Sequence, residues 1–334
     1  MPRSMRIAVL TGPRRVELRT VPVPVPRDNM VLVRTDLCGI CGSDVQFWLG
    51  SVARDFPYAP GHEFCGTVEQ AGRDVRGVDP GGRVIANPNL GCGACPYCGA
   101  GKPNLCDELK TRPVKSNGGL SEFVALDARM IRAMPPELPV GLAPFVEPLS
   151  CALHAVRLSG AAAGEKLAVF GAGTMGVLVA LAAQDRESEV VVVEPRPGRR
   201  KEAAGVTGLP ALSPDQLDES PWKHGLDAVI DCSGRIEAAR QAIDSLRKGG
   251  RLVLCGLATD QTQESVSLID VTRKELTVRG AWLNPGTFEE AIETAVRYRR
   301  SLARLSTEVF PLADAAAAFE RASEQKVNKV LVRP

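Results

Sequence analysis

The stretch from Lys166 to Glu194 limits the fold of this chain more than any other. A strand-sized apolar run, Leu167–Phe170, leads into Gly171-x-Gly173-x-x-Gly176. A helix-sized apolar segment follows to Gln184, and a second β-branched run, Val190–Val193, ends in Glu194. Strand, glycine turn, helix and strand in that order form a dinucleotide fingerprint. The first glycine permits the turn, the second lets a pyrophosphate approach the backbone, and the third lets helix and strand pack closely. The phosphates then meet free N–H groups at a helix N-terminus, which makes Gly171, Gly173, Thr174, Met175 and Gly176 the candidate cradle. Glu194, 23 residues beyond Gly171, falls where a carboxylate can accept the adenosine ribose hydroxyls. Like charge next to Glu194 disfavours a 2′-phosphate, so NAD is the expected cofactor. Arg196, Arg199, Arg200 and Lys201 follow at once and keep NADP as the alternative, with Arg199 the candidate contact.

The second constraint is Cys92-x2-Cys95-x2-Cys98-x7-Cys106. A tight loop with this spacing can point four thiolates at one centre, which suits tetrahedral zinc. An all-sulfur site leaves no position for substrate, so its role is structural, and any metal chemistry needs a second, more open site. Thiolate ligands require a reducing setting. With Met1–Met5 leading directly into an apolar run and no cleavable leader in view, the expected compartment is the cytoplasm.

The chain's 334 residues suffice for two domains. A net charge of +2 gives no global attraction to nucleic acid or to anionic membrane, and neither is an expected partner. The apolar stretch 166–184 approaches a membrane span in length, but its central glycine turn divides it into a strand half and a helix half. Residues 5 to about 150 are expected to be β-rich, with short apolar runs such as Val31–Val33 and Gly66–Val68 between Pro/Gly turns. Val21-Pro22-Val23-Pro24-Val25-Pro26 is expected as an extended connector outside any sheet, because proline lacks the donor. From about 151, strand candidates (167–170, 190–193, 228–230, 252–254 and 276–278) alternate with helices. One of these, Arg235–Leu246, is expected to stop at Gly249-Gly250. This alternation argues for a doubly wound parallel sheet. Helices over 288–299 and 313–322 and a last strand over 329–332 complete the chain.

Three short motifs flank these features: Cys41-Gly42-Ser43-Asp44, Gly61-His62-Glu63 and Glu147-Pro148-Leu149. With the cysteine cluster and the glycine turn, and in this order, they make the chain resemble the zinc-dependent medium-chain dehydrogenase/reductase family. The likeness is greatest to its sorbitol dehydrogenase-like polyol branch, with threonine dehydrogenase as a cousin, and it spans the whole chain. The resemblance implies an α/β protein. A β-rich GroES-like catalytic domain would comprise 1–149, completed by 283–334, and a Rossmann domain would comprise 150–282, with the active cleft between them.

The resemblance also implies two zinc ions per chain. Cys92, Cys95, Cys98 and Cys106 match the structural site. Cys41 and His62 match catalytic ligands, Glu63 a glutamate that enters or leaves the coordination shell, and Glu147 a polyol-branch carboxylate that binds directly or through water. Ser43 matches a proton-relaying hydroxyl and Asp44 the carboxylate that orients the histidine. Lys329 matches a base touching the pyrophosphate, and Asn284 is expected at the nicotinamide end. A family histidine two residues after the Asp is Gln46 here, and glutamine cannot titrate.

The implied reaction is reversible oxidation of a secondary alcohol of a polyol, sugar or aminocyclitol to a ketone with NAD(P). The implied assembly is a homodimer or homotetramer. Phe47, Trp48 and Tyr58 are candidates for the pocket wall, and Arg54 for a phosphate clamp. The alternatives are a threonine-type amino-alcohol dehydrogenase and a quinone-reductase-like relative without active-site zinc. A non-catalytic zinc-ribbon nucleotide sensor is the remaining one, its basic loop residues being Lys102, Lys110, Arg112 and Lys115. His154, in a helical stretch, and the remaining cysteines Cys38, Cys65, Cys151, Cys232 and Cys255 are expected to be structural.

Overall fold

The computed structural model describes residues 3–111, 118–258 and 267–334; Arg112 and Lys115 lie outside them. The chain divides into two compact units. The first comprises Met1–Glu147, Phe288–Arg299 and Ser306–Pro334, and the second Pro148–Thr287 and Arg300–Leu305.

The first unit is built on a seven-stranded sheet. Its path runs Thr307–Pro311, Lys329–Arg333, Met30–Gly39, Glu63–Ala71, Arg83–Ala86 and Ile131–Ala133, and Phe123–Asp127 also pairs with Met30–Gly39. Val31, Val33, Phe64, Val68, Val124 and Val330 meet in one apolar core beneath it. The helix Ala315–Glu324 seals that core with Ala315, Ala318 and Phe319, residues at the 3–4 spacing that shares one helix face. Phe319 rests against Trp48, with ring centroids 6.0 Å apart.

The prolines behave differently from their sequence reading at one end only. Val21 and Pro22 close the strand Arg15–Pro22, which pairs on one side alone with Ser4–Gly12, and the chain leaves regular structure after Pro22. An edge strand has no second neighbour to need the missing N–H.

The second unit holds a six-stranded, all-parallel sheet. Its order is Ala211–Leu212, Glu189–Val193, Lys166–Phe170, Leu226–Asp231, Leu246–Leu254 and Thr277–Gly280. The order turns back on itself at Lys166–Phe170, the strand that feeds the glycine turn, and such a switch point is where ligands bind in open parallel sheets. The helix Thr174–Gln184 is buried along nearly its whole length, which explains its membrane-like composition. Among the described residues no helix is long and apolar enough to cross a membrane.

One expected boundary moves. The helix ends at Ser245, and Gly249-Gly250 lie inside the next strand rather than past the helix. Gly249 has φ +74°, and the register with Leu226–Asp231 shifts between Leu226 and Ala228, so the glycines absorb an irregularity in the strand. The short strand Ala211–Leu212 carried no sequence signal, since two residues show no periodicity.

Phe319→Ala should cost roughly 3–5 kcal/mol of stability, as expected for deleting a fully buried aromatic ring. Urea unfolding of the variant measures it, and a loss below about 1 kcal/mol would show that this helix does not close the core.

Candidate active site

Three strand ends meet at one point in the first unit. Met30–Gly39 and Glu63–Ala71 are antiparallel with Gly39 opposite Glu63, so the residues just beyond one end and just before the other, Cys41 and His62, become neighbours. Lys329–Arg333 lies on the other side of Met30–Gly39, and the Ile40 N–H donates to the Val330 carbonyl, which brings Lys329 to the same end. Cys41 then caps the helix Gly42–Leu49, so the chain turns away after supplying its thiol.

One donor atom each from Cys41, His62 and Glu63 lies within 4.8 Å of the others. A sulfur, an imidazole nitrogen and a carboxylate oxygen so close together fit a single zinc ion and leave room in its shell. Asp44 stands behind them, fully buried. Its Oδ2 accepts from the Cys41 N–H at 3.2 Å and is 3.6 Å from His62 Nδ1, and its Oδ1 accepts from the Tyr58 hydroxyl at 3.3 Å. Burial pushes the Asp44 carboxyl above its usual range, with His62 as the chief opposing influence. Burial works against a charged His62, yet Asp44, Cys41 and Glu147 raise its pKa well above the ordinary value. Acidic side chains thus surround the His62 ring, as suits a site for a dication. Ser43 sits half-buried in the first turn of the helix.

Glu63 carries a partner that sequence reasoning missed. Lys329 Nζ donates to both of its carboxylate oxygens, at 2.8 and 2.7 Å, with both side chains buried. Burial opposes the Lys329 charge, but Glu63 first, and then Cys41, raise its pKa above that of ordinary lysine. The ammonium expected at a pyrophosphate donates here to the glutamate. The register of the last strand is what brings the two together, and it is invisible in a single sequence. Gly39 is equally dictated, because a Cβ there would lie within contact distance of Glu63 and 3.3 Å from its Cβ. Glu147, 5% exposed at the start of the helix Val146–Ser159, acts electrostatically on His62 and Lys329 but stands outside the three-residue cluster. Cys38 is also outside it: its buried thiol donates to the Gly39 carbonyl, and burial pushes its pKa well up.

Cys92, Cys95, Cys98 and Cys106 converge within the same 4.8 Å limit. The Cys92 N–H donates to Cys106 Sγ at 3.2 Å, the Cys95 N–H to Cys92 Sγ at 3.3 Å, and the Cys98 N–H to Cys95 Sγ at 3.5 Å. Donors aimed at sulfur favour the thiolate, and the Cys98 backbone is the main cause that brings Cys95 down to about 6. All ten cysteines are free. Cys151, within the helix Val146–Ser159, and Cys232 and Cys255, just past the strands Leu226–Asp231 and Leu246–Leu254, are half-buried rather than core residues.

In the second unit, Gly171 has φ +93°, and a Cβ on Gly176 would collide with the Gly171 carbonyl. Glu194 is buried, and its oxygens accept from the Ala172 N–H at 2.8 Å and the Arg196 N–H at 3.0 Å. Its carboxylate thereby ties the second strand to the glycine turn. An Arg199 guanidinium nitrogen lies 3.3 Å from where a Gly173 Cβ would stand, so a cation leans over the loop. Asn284 Nδ2 donates to Ser150 Oγ at 2.7 Å and is buried, which gives it an internal tie in this unit. His154 is half-buried on its helix, and burial lowers its pKa.

Lys329→Met should strip Glu63 of its counter-charge and cost about 3–5 kcal/mol, the usual penalty for leaving a buried charge alone. Gly39→Ala should displace the same carboxylate and lower zinc occupancy at this site. Calorimetry and metal analysis of the two variants measure these effects; an unchanged melting temperature with Lys329→Met would show that the pair contributes nothing.

Residues 27–136 match the family model for the alcohol dehydrogenase GroES-like domain, and residues 171–297 match that for zinc-binding dehydrogenase. Sorbitol dehydrogenase of Ovis aries is 31% identical over 97% of this chain and 95% of its own length. L-galactonate-5-dehydrogenase of Escherichia coli is 28% identical over 95% of each. A zinc-binding dehydrogenase of Sinorhizobium meliloti, solved bound to NADP, superposes with a TM-score of 0.91 and 31% identity over 99% of this chain and 100% of that one. With a sulfur, nitrogen and oxygen site in one unit and a nucleotide turn in the other, the chain belongs to the zinc-dependent medium-chain alcohol dehydrogenase family, beside its polyol dehydrogenases.

Proposed function

We propose that this protein oxidises a secondary alcohol of a polyol or sugar to the ketone, reversibly, with NAD as the preferred acceptor. The convergence of Cys41, His62 and Glu63 beside a buried Asp44 carries this reading. A zinc ion held there would polarise the alcohol oxygen and ease loss of its proton, while the nicotinamide takes the hydride.

The chain's own residues do the rest. Asp44 beside Nδ1 fixes the His62 ring and leaves Nε2 for the ion. Glu63 is the carboxylate within reach, and Lys329 competes with the ion for it, so Glu147 is the second carboxylate that can complete the set. Ser43, in the first turn beside Cys41, is placed to pass the proton on, and Gln46 offers no titrating group in its place. Glu194 favours NAD, because its buried charge would repel a 2′-phosphate. Arg199 over the glycine turn is the feature that lets NADP compete. The four-cysteine loop holds the structural zinc.

The known substrates of relatives leave the class open between neutral polyols and polyol acids. Sorbitol names one relative and L-galactonate another. Ten free cysteines support the reducing cytoplasm as its compartment, and family likeness supports a homodimer or homotetramer.

Screening NADH formation across polyols, sugars, polyol acids and aminocyclitols tests the reading directly. Cys41→Ser and His62→Ala should abolish turnover while NADH still binds, and turnover retained in either would remove that residue from the ligand set. Metal analysis should return about two zinc per chain, and Cys95→Ala should lose one of them together with thermal stability, since structural zinc contributes on the order of 10 kcal/mol in small domains. Glu194→Ser should narrow the ratio of kcat/KM for NAD over NADP, and an unaltered ratio would assign ribose reading to another residue.

A further inference from the structure

Beside the metal-ligand cluster lies a cation that the proposed chemistry does not use. The Arg54 guanidinium carbon stands 4.5 Å from the Tyr58 ring centroid and 5.1 Å from that of Phe47. The two rings meet edge to face at 5.5 Å and 77°, forming a corner that the guanidinium covers. Among the described residues no carboxylate lies within ion-pair distance of Arg54, whereas Arg6, Arg132, Arg247, Arg251 and Arg321 each meet one. Contact with aromatic rings satisfies none of a guanidinium's N–H donors, and its N–H fork is the part that matches a carboxylate or phosphate in bidentate fashion.

The rings that hold Arg54 also belong to the site. Tyr58 donates its hydroxyl to Asp44, which stands behind His62. Phe47 lies on the helix that Cys41 caps. Tyr58 is 3% exposed, so the corner is fixed by packing rather than by the loop that carries Arg54. Tyr58 thus touches Arg54 with its ring and Asp44 with its hydroxyl, so a single side chain links the cation to the carboxylate behind His62.

Charge then decides what such a pocket admits. Cys41, Asp44, Glu63 and Glu147 are acidic, and Lys329 is already committed to Glu63. A cation linked to this cluster through Tyr58 favours a substrate with an anionic end over a neutral one. A cationic aminocyclitol would instead meet Arg54 as like charge.

We infer that Arg54 is a specificity residue that takes the anionic end of an acyclic polyol substrate, a carboxylate or a phosphate, so that the preferred substrate is a sugar acid or sugar-alcohol phosphate. The inference deepens the polyol reading of the same site and rests on it. The donor geometry serves both anions, and matched substrates separate them.

The experiment uses the zinc-loaded enzyme with sets of hexitols, the corresponding hexonates and the hexitol 1-phosphates. Turnover is followed by NADH formation, and binding to the enzyme–NADH complex by fluorescence titration. The anionic member of a set should exceed the neutral one by roughly 10- to 100-fold in kcat/KM or in affinity, the range expected for a charge-assisted contact. Arg54→Gln should collapse that ratio mainly through KM, and Arg54→Lys should restore part of it. Whether the hexonate or the phosphate leads identifies the anion. Equal binding of neutral and anionic members by the wild-type enzyme, or a ratio untouched in Arg54→Gln, overturns the assignment. Charge-selective binding without turnover of any set would instead remove the polyol dehydrogenase reading and leave the Arg54 contact standing.

Discussion

The buried pair of Lys329 and Glu63 fixes the geometry on which the catalytic half depends. Lys329 begins the last strand, Glu63 begins a strand from the first third of the chain, and Gly39 ends the strand between them in the sheet. Their meeting gathers three strand ends into one corner. Cys41 and His62 occupy that corner because each lies one or two residues from a paired end, so their separation is set by sheet register. Register is the most strongly specified property of a sheet buried on its inner face, since a one-residue slip would turn every side chain over. The donor set is thereby held by rigid elements, as a metal site needs if its ligands are to stay within bonding distance of one another.

The nucleotide half follows a different plan. There the backbone does the positioning, and the side chains secure it. Glu194 accepts N–H groups from Ala172 and from Arg196, so one carboxylate joins the glycine turn to the end of the neighbouring strand. The residue that would read a ribose is also the residue that holds the loop in shape. Removing its charge therefore acts on loop geometry whatever it does to the cofactor, and under the proposed function a comparison of the two cofactors separates the effects. Arg199 adds an opposing charge beside Gly173, five residues further along the same segment.

Features carried by local spacing were legible from the sequence. The cysteine loop and the glycine turn each lie within a few residues of themselves, and chemistry at such short range needs no knowledge of the fold. The motifs Cys41–Asp44, His62–Glu63 and Glu147 were short and weak singly, and only their order along the chain pointed to a family. What could not be read was long-range register. Lys329 lies 266 residues from Glu63, so nothing local pointed to their pairing, and the family resemblance alone gave the lysine a role at the pyrophosphate. The hydrogen bond of Asn284 to Ser150, 134 residues away, likewise had no local signal. Gly249-Gly250 had the look of a helix stop, because glycine serves a strand irregularity as readily as a C-cap.

The energetics of the Lys329–Glu63 pair bear on why it is there. Two desolvated charges at 2.7 Å attract strongly, but taking both from water costs several kcal/mol apiece, and apolar side chains of similar volume often serve stability as well or better. Stability alone therefore gives little reason for the pair. What it supplies is a carboxylate held beside Cys41 and His62 with its charge already balanced. An unpaired Glu63 would bind a dication more tightly and give up less of the shell to a substrate oxygen. A lysine that shares the carboxylate would weaken that hold without removing the donor. On the proposed function, the cost in stability would be the cost of keeping one coordination position exchangeable, at the point where the chemistry requires it.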